Sequence, residues 1–410
     1  MSEEFKAKLK QYVQGTLSGP DKEEMERELE KMEAYQGYLD ELLTEGDLQR
    51  KRQDSGQDDS LILGAARTQE HRIIRKGKWK ARLTNTLSVL ILGLAITVVS
   101  SIVTGVFYGL GEPTRTSLYR DAVASAIAVS RPNISAELNG QGIAFFTMDL
   151  SGSLVKQIGD ERVGVGHMST RFLMNVASMP QISWQDNGSG GSSLFFRFDK
   201  TFPLAEGQEA SQTPGRQDEE EWSTLEKLPE GTVAEAFISL DRFWTTDDLL
   251  QQLEHKNLQP LWFAADTGLE SEREDHGIVL TPLGFPYWPM WRAEDLSIQH
   301  YSEEKTGWFS KVVSSGGMYP TVKAYGDGEL REQNFLKTLQ FLQEYKSITR
   351  KVAPFLKIDE SVAYIEKNGV KLYGLVVTGP VKELLKLKQE SWVKNLQVGD
   401  VRLWNWRDRS

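Results

Sequence analysis

The strongest hydrophobic pattern in the chain is a long run without charge. No Asp, Glu, Lys or Arg lies between Arg82 and Glu112, and the 24 residues Leu87–Leu110 are apolar almost throughout. As a helix, this run would measure about 36 Å, more than the roughly 30 Å hydrocarbon core of a membrane. A buried helix of a globular core is usually shorter and keeps a polar stripe. We therefore expect one transmembrane helix at residues 83–110, which is not a cleaved signal peptide because a long segment precedes it.

Basic residues are concentrated on one side of this run. Seven Lys or Arg lie in residues 67–82, whereas Arg115 and Arg120 are the two in the first fifteen residues beyond Leu110. Lys and Arg accumulate on the cytoplasmic side of membranes, so we expect a cytoplasmic N-terminus and an extracytoplasmic C-terminal part. Phospholipid headgroups are the better partner for these residues than nucleic acid. The predicted membrane-anchoring flank consists of Arg75, Lys76, Lys78, Lys80 and Arg82.

The N-terminal arm, residues 1–60, is acidic and helical in pattern, with sixteen Asp or Glu against nine Lys or Arg. Apolar residues recur at helical spacing after a capping box at Asp21 and Glu24. An arm this small cannot bury that stripe alone, so it either packs as a hairpin or dimer, or binds a basic partner protein. The predicted binding face comprises Met25, Leu29, Met32, Tyr35, Leu39 and Leu42, with a carboxylate rim of Glu26, Glu30, Glu33 and Glu41.

Beyond the membrane run, the pattern changes twice. Short strand-like segments separated by turns, among them IAVSR and GIAFFTMDLSG, predict a mainly β region. After an acidic linker, strands alternate with helices, and two strand–helix–strand units share a Leu-Leu pair in the helix: Leu249–Leu250 and Leu384–Leu385. The order predicts an α+β domain with a ferredoxin-like split βαβ arrangement. The expected divisions are 1–60 arm, 61–82 basic linker, 83–110 transmembrane helix, 111–204 β-rich region, 205–221 linker and 222–410 α+β domain.

Composition restricts the chemistry. The chain of 410 residues has no cysteine and a net charge of −10, so disulfides, thiol nucleophiles and Cys-based zinc sites are excluded, and general nucleic-acid affinity is not indicated. The five histidines follow no metal-ligand spacing, and no phosphate loop or nucleophile elbow is present. We expect no enzyme, no cofactor and no metal. One aromatic cluster could line a ligand pocket, meet the outer leaflet or form a corner of the core: Phe285, Tyr287, Trp288 and Trp291.

Several segments together resemble the membrane-bound regulators of extracytoplasmic-function sigma factors in Bacillus-like bacteria. They are ERELEKMEAYQGYLDELL in the arm, the basic stretch running into one membrane helix, RPNISA beyond it, and LDRFWTTDDLLQQL, GVKLYGLVVTGPVKELLKLKQESW and VGDVRLWNW towards the C-terminus. The resemblance is weak at residues 150–220. It implies an anti-sigma factor whose arm sequesters a sigma factor and whose outer domain receives an envelope signal. Without cysteine, the zinc-containing type of arm is ruled out.

Two other classes of protein stay open at this point. A single-pass envelope receptor or assembly protein could carry an arm that only dimerises, and an exported enzyme is the third class, although no catalytic constellation supports it. For the anti-sigma class, the expected partners are an extracytoplasmic-function sigma factor and, as a candidate, a second membrane protein of the same complex. Release would follow conformational change, a partner membrane protein or proteolysis.

Overall fold

The computed structural model describes residues 60–185, 196–198, 216–270, 274–275, 278–305 and 311–407, together with thirteen positions between Tyr12 and Tyr38. The chain divides into two units, Met1–Leu92 and Gly93–Ser410. In the first unit, the described positions from Lys22 to Tyr38 are helical. Residues 115–407 form the C-terminal domain.

Helix α1, Ser60–Gly109, contains the predicted membrane segment. It is longer than expected, because residues 61–82, predicted as a basic linker, are helical as well. Its stretch Arg82–Gly109, 28 residues long, is long and apolar enough to cross a membrane. The large apolar side chains of this stretch, such as Leu90 and Ile102, are exposed, as in a helix surrounded by lipid.

Helix α2, Arg115–Ser130, follows at once. Its first turn is capped by Thr114, whose Oγ1 accepts a hydrogen bond of 3.2 Å from the Ser117 backbone N–H. The prediction of a strand at IAVSR was wrong, since Ile127 lies in this helix. Ala122, Val123, Ala126 and Ile127 are all fully buried, at the spacing of one helical face.

The first sheet is an antiparallel meander whose main strands are β1, β2 and β3. Gly159, with φ of 62°, makes the tight turn between β2 and β3, a conformation that favours glycine. The short strands β4 and β5 both pair with β3. The bounds are β1 Ser135–Gly142, β2 Thr147–Ile158, β3 Glu161–Leu173, β4 Val176–Ala177 and β5 Gln181–Trp184.

The remaining elements mix helices and strands. The helices are α3 Arg216–Lys227, α4 Thr246–Leu253, α5 Gly328–Glu344, α6 Lys346–Val352, α7 Ile358–Asn368 and α8 Val381–Lys386, with 3-10 turns at Ala293–Asp295 and Leu387–Gln389. The strands are β6 Phe196–Arg197, β7 Thr232–Trp244, β8 Gln259–Ala265, β9 Glu274–Asp275, β10 Ile278–Val279, β11 Gly284–Pro286, β12 Ser297–Lys305, β13 Lys311–Met318, β14 Leu372–Pro380 and β15 Val393–Leu403. The end of the predicted 205–221 linker lies in α3.

The second sheet confirms the predicted ferredoxin-like arrangement. Its strand order is β11-β8-β14-β7-β15, and all neighbouring pairs are antiparallel. The four main strands form two strand–helix–strand units, β7-α4-β8 and β14-α8-β15. If β7, β8, β14 and β15 are numbered 1 to 4, they lie in the sheet in the order 4-1-3-2. Leu249, Leu250 and Leu384 are fully buried, so the Leu-Leu pairs do anchor the two crossover helices. The long helical connection between the units consists of α5, α6 and α7.

Both sheets contribute to one hydrophobic core. The largest cluster of buried side chains includes Leu150 and Phe172 from the first sheet and Ile238 and Leu375 from the second. Helix α2 is tied to the second sheet by Trp262, whose indole N–H donates a hydrogen bond of 2.8 Å to the Ala128 carbonyl. The 111–204 and 222–410 regions therefore share a core in the part of the chain that the structure describes.

Candidate functional site

The predicted binding face of the arm is described in part. Met25 is almost completely buried, whereas Tyr35 is exposed. Glu26 and Glu30 of the carboxylate rim are exposed, and the Tyr12 hydroxyl donates a hydrogen bond of 3.3 Å to Glu26 Oε1. The other predicted face residues, Leu29, Met32, Leu39, Leu42, Glu33 and Glu41, lie outside the described residues. The assignment of the face therefore stays a prediction.

The basic flank is carried by helix α1. Arg75, Lys76 and Lys78 lie in its N-terminal half, and the side chains of Lys80 and Arg82 are exposed. Arg82 is the first residue of the stretch that could span a membrane. Lys and Arg at that boundary can extend their charged ends to the headgroups, although the role of these five residues as an anchor remains a prediction.

The aromatic segment Gly284–Trp291 is divided between core and surface. Phe285 and Tyr287 are buried, and the Phe285 ring centroid lies 4.8 Å from that of Phe335 on α5. Trp288 is exposed and Trp291 is half-buried. Phe285 and Tyr287 thus lie in the core and Trp288 and Trp291 do not, while the functional role of the cluster stays a prediction.

Helix α5 fixes this aromatic segment in place. Arg331 is fully buried and donates hydrogen bonds to the Tyr287 carbonyl and, at 2.7 Å, to the Lys323 carbonyl. Its guanidinium carbon lies 4.4 Å from the centroid of the Tyr287 ring, a cation–π contact. Burial lowers the pKa of Arg331 below its ordinary value. Asn334 accepts a hydrogen bond of 2.8 Å from the Met290 backbone N–H, so the turn that carries Trp288 is held at both ends.

Trp288 and Trp291 line a groove with a volume of about 710 Å³. The groove lies between α2, strand β2 and the aromatic segment, and its walls combine indole rings with a few polar groups. Pockets of this size and character take small molecules or peptide segments. The residues that give it its character are Asp121, Asn133, Lys156, Arg162, Trp262, Tyr287, Trp288, Trp291, Arg292 and Tyr319.

A buried charge network, which we call the Lys156 joint, forms part of this groove. The ammonium of Lys156 on β2 lies 2.7 Å from Glu235 Oε2 and 3.1 Å from Asp400 Oδ2. Asn133 donates a hydrogen bond of 2.7 Å to the other Glu235 oxygen. Burial lowers the pKa of Lys156, but the two carboxylates outweigh burial and the net shift is upward. The joint thereby ties the first sheet to the second with a charged lysine.

The Lys156 joint was not predicted from the sequence, although the sequence contains one signal of it. Glu235 is the single acidic residue in the apolar run VAEAFISL, which forms the middle of β7. A charge at such a position is buried and needs a partner. Gly399 leaves room for it, because a Cβ there would lie 2.4 Å from Glu235 Oε2. The partners themselves are distant in sequence and could not be named.

The described residues contain no group of three or more His, Asp or Glu side chains that could hold a metal ion. One further carboxylate pair is buried, where Glu270 lies beside Asp266. Burial, and next the hydrogen bond and charge of Asp266, raise the pKa of Glu270 to about 7. The Tyr364 hydroxyl donates a hydrogen bond of 2.7 Å to Asp266. We treat this pair as part of the packing of α7 against the second sheet.

Comparison with protein families identifies the class. The family described as sigma factor regulator N-terminal matches residues 71–163, which include the apolar helix, and sigma factor regulator C-terminal matches residues 225–400, which include the four main strands of the second sheet. Together the two matches cover about two thirds of the chain. The chain belongs to the sigma factor regulators, a family of membrane anti-sigma factors. The described residues contain one helix apolar enough to cross a membrane, which agrees with a single-pass membrane protein.

A particular relative covers the whole length. The chain is 28% identical to the probable anti-sigma-M factor YhdL of Bacillus subtilis (strain 168) over an alignment 412 positions long, which includes 99% of this chain and 100% of the relative. No solved structure matches the chain. The resemblance noted from the sequence is therefore confirmed at the level of the anti-sigma family.

Proposed function

We propose that the acidic arm binds an extracytoplasmic-function sigma factor and holds it at the cell membrane, and that an envelope stress received by the C-terminal domain releases it. The observation that carries this proposal is the occurrence of both sigma factor regulator domains in one chain, the N-terminal one of which includes the apolar helix. The relative named an anti-sigma-M factor aligns over its full length, which supports a partner of the same kind.

Charge supports the arm as the binding element. Residues 1–60 carry sixteen acidic and nine basic side chains, while sigma factors contact DNA and polymerase through basic surfaces. Electrostatic complementarity of this kind raises association rates and selects partners. The predicted apolar face, from Met25 to Leu42, would supply the packing that slows dissociation. Seven Lys or Arg in residues 67–82 support a cytoplasmic N-terminus.

The test uses the full-length protein in membranes of the source cell. The double variant L39D/L42D places two carboxylates on the predicted face, and we expect it to release the sigma factor from the membrane fraction and to activate its target promoters. The control variant A34D/G37D adds the same charge on the other side of the helix. It should retain the sigma factor, because residues 34 and 37 lie away from the apolar face at helical spacing.

Two results would contradict this assignment. Retention of the sigma factor by L39D/L42D would exclude the face, while release by both double variants would show that added charge, and not a face, controls binding. If the wild-type protein recovers only itself from an extract that contains extracytoplasmic-function sigma factors, the receptor or assembly class replaces the anti-sigma proposal. Membrane insertion of each variant is checked by fractionation.

A further inference from the structure

One end of the first sheet is fastened to the last turns of helix α1. The Phe145 backbone N–H donates a hydrogen bond of 2.6 Å to Ser100 Oγ, and the Phe146 N–H donates one of 2.9 Å to Thr104 Oγ1. The Ser101 hydroxyl donates to the Ile143 carbonyl. The turn between β1 and β2 is therefore held along the helix by three side-chain hydroxyls.

The neighbouring turn, between β3 and β4, is fastened to the same helix. The Tyr108 hydroxyl lies 2.8 Å from the Phe146 carbonyl and 3.0 Å from the Met174 carbonyl, so it bridges the two turns. Phe107 contacts Phe146 edge to face, with ring centroids 5.6 Å apart. Arg115 donates a hydrogen bond of 2.7 Å to the Phe107 carbonyl near the helix end. The helix end and both turns form one rigid assembly.

The side chains at these turns are apolar and exposed. We call them the apolar tip: Ile143, Phe145, Leu173, Met174 and Val176, which are between 44% and 62% exposed. No charged residue interrupts the segments 143–148 and 172–177. The first charged side chains along these strands are Asp149 and Arg171, which form an ion pair with a shortest distance of 2.6 Å. Contiguous apolar surface of this kind marks an interaction site.

The backbone of the turns adds a second observation. Phe145, Phe146 and Met174 have φ of 51°, 56° and 55°, the left-handed region that turns normally fill with Gly, Asn or Asp. A bulky side chain there costs on the order of 1 kcal/mol. The chain thus places large apolar groups at three positions where glycine would fold more easily. Phe146 packs against Phe107, whereas Phe145 and Met174 are exposed, which indicates that the exposure of these two side chains has a use.

The level at which the apolar tip lies along helix α1 indicates that lipid surrounds the tip. Counted from Leu83, about twenty residues suffice to cross the hydrocarbon core, and such a count ends near Ile102. The stretch continues to Gly109, so the turns of α1 that bind the tip lie at the edge of the hydrocarbon. Phe145 is hydrogen-bonded at the level of Ser100 and therefore lies at or below that edge.

The hydrogen bonds that the hydroxyl groups of α1 make to the turn are those expected where water is excluded. An exposed turn in water can leave its N–H groups to the solvent, whereas in lipid each backbone group needs a partner within the protein. The N–H groups of Phe145 and Phe146 have such partners in Ser100 and Thr104. Membrane helices use Ser and Thr in this way.

We propose that the apolar tip of the C-terminal domain is inserted into the membrane leaflet on its own side, so that the domain rests on the lipid as well as being tethered by the helix. The ligand is the acyl-chain and headgroup boundary of the phospholipid bilayer. The proposal does not depend on which side of the membrane the domain occupies or on the identity of the sigma factor.

The chain contains no cysteine, so single nitroxide labels can be attached to the otherwise native full-length protein. We would label F145C and V176C at the tip, with I298C and L403C as controls, since Ile298 and Leu403 are exposed apolar residues elsewhere in the domain. The protein is reconstituted at high dilution into vesicles of phosphatidylethanolamine and phosphatidylglycerol. Spin relaxation then compares collisions with oxygen, which concentrates in lipid, and with a nickel chelate, which stays in water.

For an inserted tip, the ratio of oxygen to chelate collisions at positions 145 and 176 is severalfold higher than at positions 298 and 403. Chelate collisions at the tip equal to those at the controls would place it in water and overturn the proposal. Shielding of the tip from both reagents would show that protein covers it, a second copy or another membrane protein, and would overturn the lipid assignment as well. A label at V176C keeps the test valid if F145C disturbs its turn.

Discussion

The two ends of the first sheet differ in which side chains they expose: one end exposes apolar side chains, and the other buries a charged one. At one end Phe145, Leu173 and Val176 are exposed although they are apolar, and at the other Lys156 is almost completely buried although it is charged. Globular proteins ordinarily do the reverse at both kinds of position. The first end lies against helix α1, which can cross a membrane. The second end contacts the second sheet, where Glu235 and Asp400 pair with Lys156. With the apolar tip inserted as proposed, one end of the sheet is adapted to lipid and the other to contact with protein.

The largest expected effect is at the Lys156 joint. Replacing Lys156 by Met leaves Glu235 and Asp400 without their cation, and a buried charge that loses its partner destabilises a protein by about 3–5 kcal/mol. We expect K156M to lower the free energy of unfolding of the C-terminal domain by this amount, measured by urea titration of the full chain with tryptophan fluorescence.

The control for K156M is R171A, at the opposite end of the same sheet. Arg171 pairs with Asp149 on the surface, where ion pairs contribute about 1 kcal/mol or less. The variant K156M/E235Q should regain part of the stability, because it removes the negative charge that K156M leaves buried at Glu235 without the lysine ammonium. An equal loss of unfolding free energy in K156M and R171A would show that the Lys156 joint stabilises the domain no more than a surface ion pair does.

Glu270 is a second buried carboxylate, and it has no lysine beside it in the described contacts. Comparing it with Glu235 separates the effect of burial on stability from the effect of an ion pair. Glu270 has another carboxyl beside it where Glu235 has a lysine, and burial with Asp266 raises the pKa of Glu270 from 4.5 to about 7. The stabilisation from its protonated form is complete below pH 4.5 and is lost as the pH rises through about 7. We expect E270Q, which stays neutral, to be more stable than the wild type at pH 8 by on the order of 2 kcal/mol.

Below pH 4.5 the advantage of E270Q should disappear, since the wild-type carboxyl is protonated in both states. The exposed Glu366 provides the matched control, and E366Q should follow the wild type at each pH. A stability difference between E270Q and the wild type that does not change with pH would contradict the shifted titration and point to a packing effect of the amide.

The smallest expected effect concerns Phe145, in the apolar tip. Glycine relieves the left-handed backbone, a gain of about 1 kcal/mol, but removes a ring whose transfer to lipid contributes about 2 kcal/mol. For a tip in lipid we expect F145G to lower the stability by about 1 kcal/mol in vesicles, as measured by urea titration. F145L keeps the apolar group and should resemble the wild type. Stabilisation by F145G would place the ring in water.

The sequence predicts the second sheet well because its signals are local. Each strand–helix–strand unit is marked by an apolar run, a helix-start signal (Thr245 in the first unit, Pro380 in the second) and a Leu-Leu pair within about thirty residues, and the order of these units defines the sheet. The apolar helix needs no tertiary information either, since length and the absence of charge determine it.

The wrong strand at IAVSR and the missed charge network have different causes. Read alone, Ile127 and Val129 suggest a strand. All residues from Ser125 to Ser130 are buried in the helix, and periodicity does not distinguish a short apolar run in a buried helix from a strand. The Lys156 contacts span 79 residues to Glu235 and 244 to Asp400, and no local pattern contains them. The groove has the same origin, because its walls come from α2, β2 and the segment around Trp288. The face of the arm rests on periodicity, and its central leucines lie outside the described residues.

The hydrogen bonds between α1 and the two turns couple the orientation of the helix to that of the C-terminal domain, so that the helix moves with the domain as a lever does. Ser100, Thr104 and Tyr108 engage the domain over about two turns of helix, and five residues separate the helix end from α2. Seen from the end of the helix, Gly93 lies about 25 Å away, so a 10° tilt of the domain would displace that point by roughly 4 Å. Any rocking of the domain on the membrane surface is thereby converted into a sideways movement inside the bilayer.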